Sequence, residues 1–380
     1  GRITIPGWQF LKRKHIMTKL LETAALGVDF DPDRRALQAS GALARIIQPV
    51  LDMMNQRLAE EKPALIRADD MVVSTWLPPI PSGPFRRLLA NEARAAIGRP
   101  VPSTLSLEVT RSCGARCEHC LMREGEGELS YEEMTRIIDQ ALDLGSCIIT
   151  FTEGDPLLRE DIFDLIRHID PDKAVANLFT PGLELTAEKA IKLKEAGLYN
   201  LIIGVYSTNP EEHDQIRGVV GAHARALQAI RTALDAGLMV TMSCHIKSGQ
   251  VDRILELYRL ADGLGVQELS VWEGMPRTPE EKLTLIEKEK IVDIYRKINS
   301  EPNGPRIFAN TYFEGQMLGC MAGRRWMHVA VDGSIRGCPY LKDSYASIKD
   351  VSLKDAWRAL RHSEDFEGSV SHCPAQEIFG

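Results

Sequence analysis

Short apolar strands alternate with amphipathic helices of about ten to fifteen residues between residues 104 and 275. The first strand, Leu105 to Val109, has the period-two pattern of a strand with one buried face. Tyr131 to Leu144 has the period of an amphipathic helix, which Ser130 and Glu133 start as a capping box. Strands joined by crossover helices form a parallel sheet. The sequence therefore predicts an α/β fold with six strand–helix units, fewer than the eight of a closed barrel.

The regions on either side of this stretch have different patterns. Residues 1–100 have mainly helical periodicity, including Leu37 to Leu58, and end in a proline-rich connector at residues 77–84. Residues 301–380 lose the alternation and carry three cysteines. We therefore expect three regions: a helical N-terminal region over residues 1–100, the sheet over residues 101–300, and a small α+β module over residues 301–380.

Composition excludes several classes of protein. The 380 residues include 46 Lys and Arg and 53 Asp and Glu, a formal charge of −7, which argues against a nucleic-acid-binding protein. An apolar fraction of 44% is typical of a globular enzyme. The sequence has no apolar run of membrane-spanning length and no secretory signal, so we expect a cytoplasmic protein with reduced thiols.

The first twenty residues carry basic and aromatic side chains but no acidic ones. The basic residues are Arg2, Lys12, Arg13, Lys14 and Lys19, and the apolar ones among them are Trp8, Phe10, Leu11, Ile16 and Leu20. This weak amphipathic pattern predicts a docking or capping helix. Peripheral contact with a membrane surface is the alternative.

Three cysteines directly follow the first strand, in the run Arg111-Ser-Cys113-Gly-Ala-Arg-Cys117-Glu-His-Cys120. Functional residues of α/β sheets lie at the carboxyl ends of the strands. Three thiolates at this spacing can hold three irons of a [4Fe–4S] cluster and leave the fourth iron open, as in a catalytic site. A structural zinc, held by these thiolates with His119 or a distant residue, is the alternative.

This C-x3-C-x2-C run resembles the signature of the radical S-adenosylmethionine (radical SAM) superfamily, and the resemblance covers about residues 104–275. It implies a partial (β/α)6 barrel. The run Thr152-Glu-Gly-Asp-Pro156 is similar to the family's Gly-Gly-Glu-Pro segment, whose backbone pairs with the amino group of the cofactor. In this chain, a glutamate replaces the first glycine and an aspartate the glutamate. The cofactor-binding residues implied here are Glu153, Gly154, Asp155 and Pro156.

Two further segments extend the resemblance. Asn177-Leu-Phe-Thr-Pro-Gly182 is similar to the family's third-strand end, and His213-Asp-Gln-Ile-Arg217-Gly matches a stretch common in one subgroup. The resemblance implies cofactor contacts from Asn177 and Arg217. A surface salt bridge is the alternative for Arg217. That subgroup's Ser-x-Asp pair would fall on Gly204 and Tyr206, which removes two polar contacts.

The resemblance also implies a mechanism. The open iron chelates S-adenosylmethionine (SAM), and one electron from the reduced cluster cleaves a carbon–sulfur bond to give methionine and a 5′-deoxyadenosyl radical. That radical abstracts hydrogen from the substrate, while the protein orients the reactants and excludes water. An external one-electron donor of the flavodoxin or ferredoxin type would supply the electron.

A second set of cysteines lies near the C-terminus. Cys320 and Cys338 have the spacing C-x12-G-x4-C, and Asp332-Gly333 predicts a tight hairpin that returns one thiolate toward the other. This resembles the SPASM and twitch extensions, which are radical SAM accessory domains that bind auxiliary [4Fe–4S] clusters. The resemblance implies one auxiliary cluster on Cys320, Cys338 and Cys373.

The family's fourth thiolate is missing, because Gln376 occupies its place. The fourth iron is then open to substrate or bound by another group such as His372 or Glu377. A structural zinc on the same thiolates is the alternative. Cys147 and Cys244 lie in apolar strands and are expected to be buried.

The leading hypothesis is a radical SAM enzyme that modifies a peptide or protein or matures a cofactor such as a tetrapyrrole. The reaction class, among oxidoreductase, transferase and lyase, stays open. One alternative is a radical SAM enzyme acting on a lipid or isoprenoid at a membrane surface. Another is a non-catalytic iron–sulfur or zinc scaffold. Strand-like alternation is scarce in residues 1–100, which argues against a leader-peptide-binding winged-helix module there.

Overall fold

The computed structural model describes residues 17–22, 24–31, 34–120, 127–341, 343–366 and 373–377. The chain divides into two compact units, Gly1–Glu60 and Glu61–Gly380. The expected boundary after residue 100 differs from this division, because residues 61–100 belong to the second unit. The amphipathic pattern predicted for the first twenty residues lies mostly outside the described part of the chain. Among the described residues, no helix is both long and apolar enough to cross a membrane.

In its described residues, the first unit contains three strands and one long helix. They are β1 (Thr18–Glu22), β2 (Gly27–Asp31), β3 (Ala36–Ser40) and α1 (Ala44–Glu60). The strands form an antiparallel sheet in chain order. The expectation of helix is wrong over residues 18–40. Val28 and Phe30 are buried there and alternate with aspartates, which is the pattern of a strand with one buried face.

The second unit begins with two short strands and a helix. They are β4 (Leu65–Ile66), β5 (Met71–Val72) and α2 (Gly83–Ala96). The proline-rich connector predicted over residues 77–84 is shorter in the structure, because α2 begins at Gly83. It forms part of this unit, since the backbones of Met71 and Ile80 exchange two hydrogen bonds of 2.8 Å. Ser82 then caps α2 by accepting a hydrogen bond from the Phe85 N–H.

A ten-stranded sheet forms the body of the second unit. Its strands are β6 (Thr104–Glu108), β7 (Ile148–Thr152), β8 (Val175–Thr180), β9 (Asn200–Gly204), β10 (Val240–Ile246), β11 (Glu268–Glu273), β12 (Arg306–Ala309), β13 (Trp326–Val329), β14 (Ser334–Arg336) and β15 (Ala346–Ser347). Its helices are α3 (Tyr131–Leu144), α4 (Ile162–His168), α5 (Ala187–Glu195), α6 (Pro210–Arg217), α7 (Ala222–Asp235), α8 (Arg253–Leu264), α9 (Leu285–Ser300), α10 (Asn310–Tyr312) and α11 (Leu353–Arg361). Short 3₁₀ turns cover Pro156–Leu158, Pro279–Glu281 and Pro374–Glu377, and a π-helical turn covers Phe313–Met317.

The strand order is β12-β11-β10-β9-β8-β7-β6-β13-β14-β15. The six predicted strands, β6 to β11, are parallel, which confirms the predicted α/β architecture. The sheet also extends beyond them. β12 pairs in parallel with β11, and β13 pairs in parallel with β6 at the other side. Residues 301–380 therefore extend the large sheet instead of forming a separate module.

Local sequence explains the two faces of the sheet. Leu105 and Leu107 of β6 belong to the same apolar core as Met134 and Ile137 of α3, so they face the helices. The residues between them face the opposite, inner side. Helix α3 has the predicted bounds and capping box. Cys147 and Cys244 are buried, as predicted.

Residues from the segment before α2 cover the amino-terminal ends of the strands. The Thr75 hydroxyl donates to Glu268 Oε1 over 2.6 Å and lies 2.7 Å from the Thr241 hydroxyl. Trp76 Nε1 donates to Ser270 Oγ over 2.6 Å. The Trp76 ring also packs against the rings of Phe179, Trp272 and Phe308. This layer is called the aromatic floor below.

Candidate functional site

The three cysteines expected to bind metal lie on the loop that follows β6. Cys113 and Cys117 are partly buried, and Cys120 is exposed. The Ala115 N–H donates to Cys113 Sγ over 3.4 Å, and the Cys120 N–H donates to the Cys117 carbonyl over 3.1 Å. Burial raises the pKa of the Cys113 thiol above its ordinary value. The loop therefore carries three sulfurs at the carboxyl end of the first barrel strand.

The end of α6 holds this cysteine loop in place. The Arg116 N–H donates to the Arg217 carbonyl over 2.8 Å, and the Glu118 N–H donates to the Ile216 carbonyl over 3.0 Å. Gly218 has a φ of +64°, and a Cβ there would lie 2.7 Å from the Arg116 carbonyl oxygen. Glycine therefore lets the two segments approach this closely. The H-D-x-I-R-G stretch thus supports the cysteine loop.

Arg217 is only 6% exposed and contacts the loop directly. Its Nη1 donates to Cys117 Sγ over 3.3 Å, and its Nη2 donates to the Gly204 carbonyl over 2.8 Å. The guanidinium also lies 4.6 Å from the centre of the Tyr206 ring. These contacts exclude the surface salt bridge that was the alternative for this residue.

Gly204 and Tyr206 occupy the positions of the polar pair that the resemblance implied. A Cβ at Gly204 would lie 2.5 Å from Arg217 Nη2, so glycine makes room for the guanidinium. The Tyr206 ring also packs against His119 at 4.5 Å and His245 at 5.4 Å. Burial lowers the pKa of His119 to about 3 and that of His245 to about 4, so both rings are neutral near pH 7.

The segment after β7 lies directly against the cysteine loop. The Asp155 N–H donates to the Ser112 carbonyl over 2.8 Å. Gly154 has a φ of +64°, and a Cβ there would lie 2.3 Å from the Thr110 carbonyl oxygen. Glu153 also has a positive φ, +53°, which is a costly conformation for a residue other than glycine. Two consecutive left-handed residues therefore bend the chain around the loop.

Asp155 joins the carboxyl ends of β7 and β8. Its Oδ1 accepts hydrogen bonds from Thr180 Oγ1 at 2.8 Å and from the Leu157 N–H at 3.2 Å. Burial raises the pKa of the Asp155 carboxyl. Pro156 is buried and begins the 3₁₀ turn that follows. Asn177, in β8, is fully buried. The structure thus brings Gly154, Asp155 and Arg217 beside the cysteine loop.

Several buried polar atoms around this segment have no hydrogen-bond partner among the described residues. They are Thr150 Oγ1, Glu153 Oε2, Asp155 Oδ2 and both amide atoms of Asn177. Buried polar groups are almost always satisfied, by protein, water or ligand. Unpaired donors and acceptors in β7, β8 and the segment after β7 fit a cofactor with ammonium, carboxylate and hydroxyl groups, as SAM has.

The C-terminal cysteines also come together. The Cys320 and Cys373 thiols lie close enough to interact, and the interaction with Cys320 lowers the pKa of Cys373 to about 7. Cys338 is close enough to Cys373 for the two thiols to interact electrostatically. The predicted turn between β13 and β14 is present, and its Asp332 accepts a hydrogen bond from the Ser334 N–H over 2.9 Å.

Gln376 is engaged in other contacts. Its Nε2 donates to Glu273 Oε2 over 2.6 Å, and its Oε1 accepts from Lys288 Nζ at 3.4 Å. His372 lies outside the described residues, and so does the side chain of Glu377. The two fourth ligands suggested by the sequence therefore stay predictions.

Sequence reasoning did not single out Glu314, which lies in the π-helical turn before Cys320. Burial, followed by the nearby Cys373, raises the pKa of the Glu314 carboxyl to about 8. This carboxyl also interacts electrostatically with Cys320 and Cys338. Its Oε1 is buried and unpartnered in the described part of the chain. A π-helical turn is a frequent mark of a functional site, but the sequence does not reveal one.

Sequence reasoning also missed Glu108 and His328. A carboxylate oxygen of Glu108, one of Glu153 and a ring nitrogen of His328 lie within 4.8 Å of one another. His328 reaches this place because β13 pairs with β6. No pattern in the sequence predicts that pairing, which joins segments more than two hundred residues apart.

Comparison with known proteins identifies the second unit. Residues 107–261 match the sequence profile of the Radical SAM superfamily. The chain carries a radical SAM domain. It is a radical SAM enzyme, of a superfamily named for its use of S-adenosylmethionine.

Two relatives of this radical SAM enzyme differ in the extent of their match. The AdoMet-dependent heme synthase of Oleidesulfovibrio alaskensis is 24% identical over 321 residues, which are 74% of this chain and 83% of the relative. The PqqA peptide cyclase of Streptomyces rochei is 33% identical over 184 residues, 47% of this chain and 50% of the relative.

The fold of the radical SAM enzyme is similar to that of a solved structure. Streptococcus suis SuiB bound to its precursor peptide SuiA superimposes with a TM-score of 0.62 at 14% identity. The match covers 95% of this chain and 90% of SuiB.

Proposed function

We propose that the cysteine loop holds the [4Fe–4S] cluster and that the ends of β7 and β8 bind SAM beside it. The cluster ligands are Cys113, Cys117 and Cys120. The cofactor contacts are Glu153, Gly154, Asp155, Pro156, Asn177 and Arg217. The observation that supports this assignment is the close packing of Gly154 on the cysteine loop, next to buried polar atoms without partners. When bound, the cluster reduces the sulfonium of SAM, which yields the radical that abstracts hydrogen from the substrate.

The protein's own residues position and protect this chemistry. Arg217 fixes the direction of the Cys117 sulfur through its hydrogen bond. Asp155 ties the cofactor segment to the cysteine loop through its backbone and to β8 through its carboxylate. The aromatic floor closes the other end of the strands against water.

Production of 5′-deoxyadenosine tests the assignment. Anaerobically reconstituted protein, reduced with dithionite and given SAM, is expected to release 5′-deoxyadenosine, and Cys113→Ala is expected not to. Equal amounts from both proteins would contradict the cysteine assignment. If neither protein cleaves SAM, the non-catalytic scaffold becomes the better interpretation.

Cys320, Cys338 and Cys373 bind an auxiliary [4Fe–4S] cluster in this proposal. The convergence of their thiols supports it. The carboxyl of Glu314 is well placed as the fourth ligand, because it is buried near these sulfurs while Gln376 is engaged by Glu273. Iron analysis should give about eight irons per chain, against about four if the module binds zinc.

The substrate is a peptide in this proposal. The SuiB match covers 95% of the chain and so includes most of residues 1–60, whereas the heme synthase match covers 74%. SuiB was solved with a precursor peptide, and the cyclase relative is named for a peptide. The first unit contains a three-stranded sheet, so a scarcity of strands no longer argues against a leader-peptide-binding module.

A tetrapyrrole is the second candidate substrate, because the heme synthase relative matches over a longer stretch than the cyclase. Mass spectrometry can separate the two. Precursor peptides encoded beside the gene and tetrapyrrole precursors should each be incubated with enzyme, SAM and reductant. A mass change in a peptide supports the first candidate, and one in a tetrapyrrole overturns it.

The electron donor and the location follow from the same chemistry. The cluster needs one electron at a time, so a flavodoxin or ferredoxin is the expected donor. Cluster thiolates need a reducing compartment, which favours the cytoplasm. A lipid substrate would require membrane contact through the first twenty residues. Co-sedimentation with liposomes, with and without those residues, tests that alternative.

A further inference from the structure

Three side chains with metal-binding atoms meet on the inner face of the sheet, separate from both groups of cysteines. Glu108 is the last residue of β6, Glu153 follows β7, and His328 belongs to β13. One ligand atom from each lies within 4.8 Å of the other two. Parallel pairing places His328 beside Ser106, so the sheet itself brings the group together.

Hydrogen bonds fix the His328 ring and the Glu108 carboxylate. Trp326 Nε1, which can only donate, donates to Ser106 Oγ over 2.7 Å. Ser106 Oγ lies 2.8 Å from His328 Nδ1, and His328 Nε2 lies 2.9 Å from Glu108 Oε1. The Val331 N–H donates to Glu108 Oε2 over 3.0 Å. Metal ligands are typically oriented by outer hydrogen bonds of this kind.

Internal packing does not explain the third member, Glu153. Its Oε2 is buried and has no hydrogen-bond partner in the described residues. Burial raises the pKa of this carboxyl, and the neighbouring Glu108 adds to the effect. The backbone of Glu153 is strained as well, with a φ of +53°. Strain of this kind persists mainly where function needs a side chain in one place.

The charge of the surroundings also favours a cation. Two carboxyl groups meet one buried cation, Arg336, which interacts electrostatically with both glutamates. The guanidinium forms a hydrogen bond to Ser334 Oγ at 3.2 Å and no ion pair among the described residues. With both glutamates ionised, this group carries a net charge of −1.

We propose that Glu108, Glu153 and His328 form a divalent-cation site inside the barrel, beside the segment assigned to SAM. Two carboxylate oxygens and one imidazole nitrogen suit Mn²⁺ or Fe²⁺. The ion replaces the protons that otherwise lie between these groups and leaves coordination positions free for oxygen atoms of water or substrate. This site is distinct from the iron–sulfur sites. The Glu153 carboxylate binds the cation here, which leaves the backbone of residue 153 for SAM.

Binding of Mn²⁺ tests the proposal, because Mn²⁺ prefers oxygen and nitrogen ligands to thiolates. Full-length protein with oxidised, spin-paired clusters is titrated with Mn²⁺, and free Mn²⁺ is followed by electron paramagnetic resonance. We expect one Mn²⁺ per chain, and at least tenfold weaker binding in Glu153→Gln. Glu153→Gly, which suits the positive φ, should weaken binding equally without a folding defect. Glu188→Gln, at an exposed position on α5, should bind as the wild type does.

Two results would overturn the site. One is the absence of stoichiometric binding up to about 1 mM Mn²⁺. The other is unchanged affinity in both Glu153 variants. Formation of 5′-deoxyadenosine is measured on the same samples. If Mn²⁺ does not bind but 5′-deoxyadenosine forms, only the cation site is rejected. If Mn²⁺ binds but no 5′-deoxyadenosine forms, only the cofactor assignment is rejected.

Discussion

The Arg217 guanidinium connects Cys117 to the fourth barrel strand. One of its N–H groups donates to Cys117 Sγ over 3.3 Å, and another donates to the Gly204 carbonyl over 2.8 Å. Arg217 and Cys117 are one hundred residues apart in sequence. The position of one cluster ligand is thereby set by a strand that carries no cysteine.

Arg217→Lys should impair the cluster at the cysteine loop. A lysine has one charged nitrogen and cannot span sulfur and carbonyl as the planar guanidinium does. We expect SAM cleavage to fall about tenfold or more, in line with the loss of outer contacts at other metal sites. Iron content and 5′-deoxyadenosine formation are the measurements. Arg225→Lys, at an exposed position on α7, is the control, and equal activity of the two variants would contradict this role.

Gly218→Ala should destabilise the protein more than Gly221→Ala does. Both glycines have a positive φ, +64° and +79°, so both variants share the backbone strain of about 1 kcal/mol. A Cβ at residue 218 would also meet the Arg116 carbonyl at 2.7 Å, whereas nothing lies within 4 Å of one at residue 221. Urea denaturation should give a further loss of about 1–3 kcal/mol for Gly218→Ala. Iron binding should fall in that variant only. Equal losses in both would mean that the loop does not depend on this contact.

Glu153→Gly should stabilise the fold while it removes the side chain's function. The strain of a φ of +53° is relieved, and a buried carboxyl with a raised pKa is lost. The free energy of unfolding should rise by about 1 kcal/mol, even after the entropic cost of glycine. Glu188→Gly, in the exposed part of α5, should lower it by about 1 kcal/mol. A destabilised Glu153→Gly would show that Glu153 serves the fold and not a ligand.

Glu314→Gln should alter the auxiliary cluster and leave the first cluster unchanged. The amide cannot supply an anionic oxygen to iron. In the reduced protein, we expect a changed electron paramagnetic resonance signal and a shifted potential for one cluster only. Gln376→Ala is the matched control, since the Gln376 side chain contacts Glu273 and Lys288. Identical spectra of Glu314→Gln and wild type would exclude the carboxylate as a ligand.

The sequence predicts well the features that depend on neighbours in the chain. The capping box of Ser130 and Glu133, the bounds of α3 and the hairpin at Asp332 are all confirmed, because residues a few positions apart determine them. The strands over residues 18–40 are missed, since strands of five residues give weak periodicity.

Contacts between distant segments could not be predicted in this way. Arg217 meets Cys117, and His328 meets Glu108, only because strands far apart in the chain become neighbours. No period in the sequence encodes such pairings. The same limit applies to Glu314, whose relevance depends on where the C-terminal cysteines fold back.

The aromatic floor has a consequence for the order of events during turnover. Thr75 and Trp76 lie against the amino-terminal halves of β10 and β11 and obstruct passage at that end of the strands. Cofactor, substrate and products must then share the rim that carries the cysteines. A bulky peptide seated there would trap the SAM beneath it. Steady-state kinetics should therefore be ordered. SAM should bind before the peptide, and the products of SAM should leave after the peptide product.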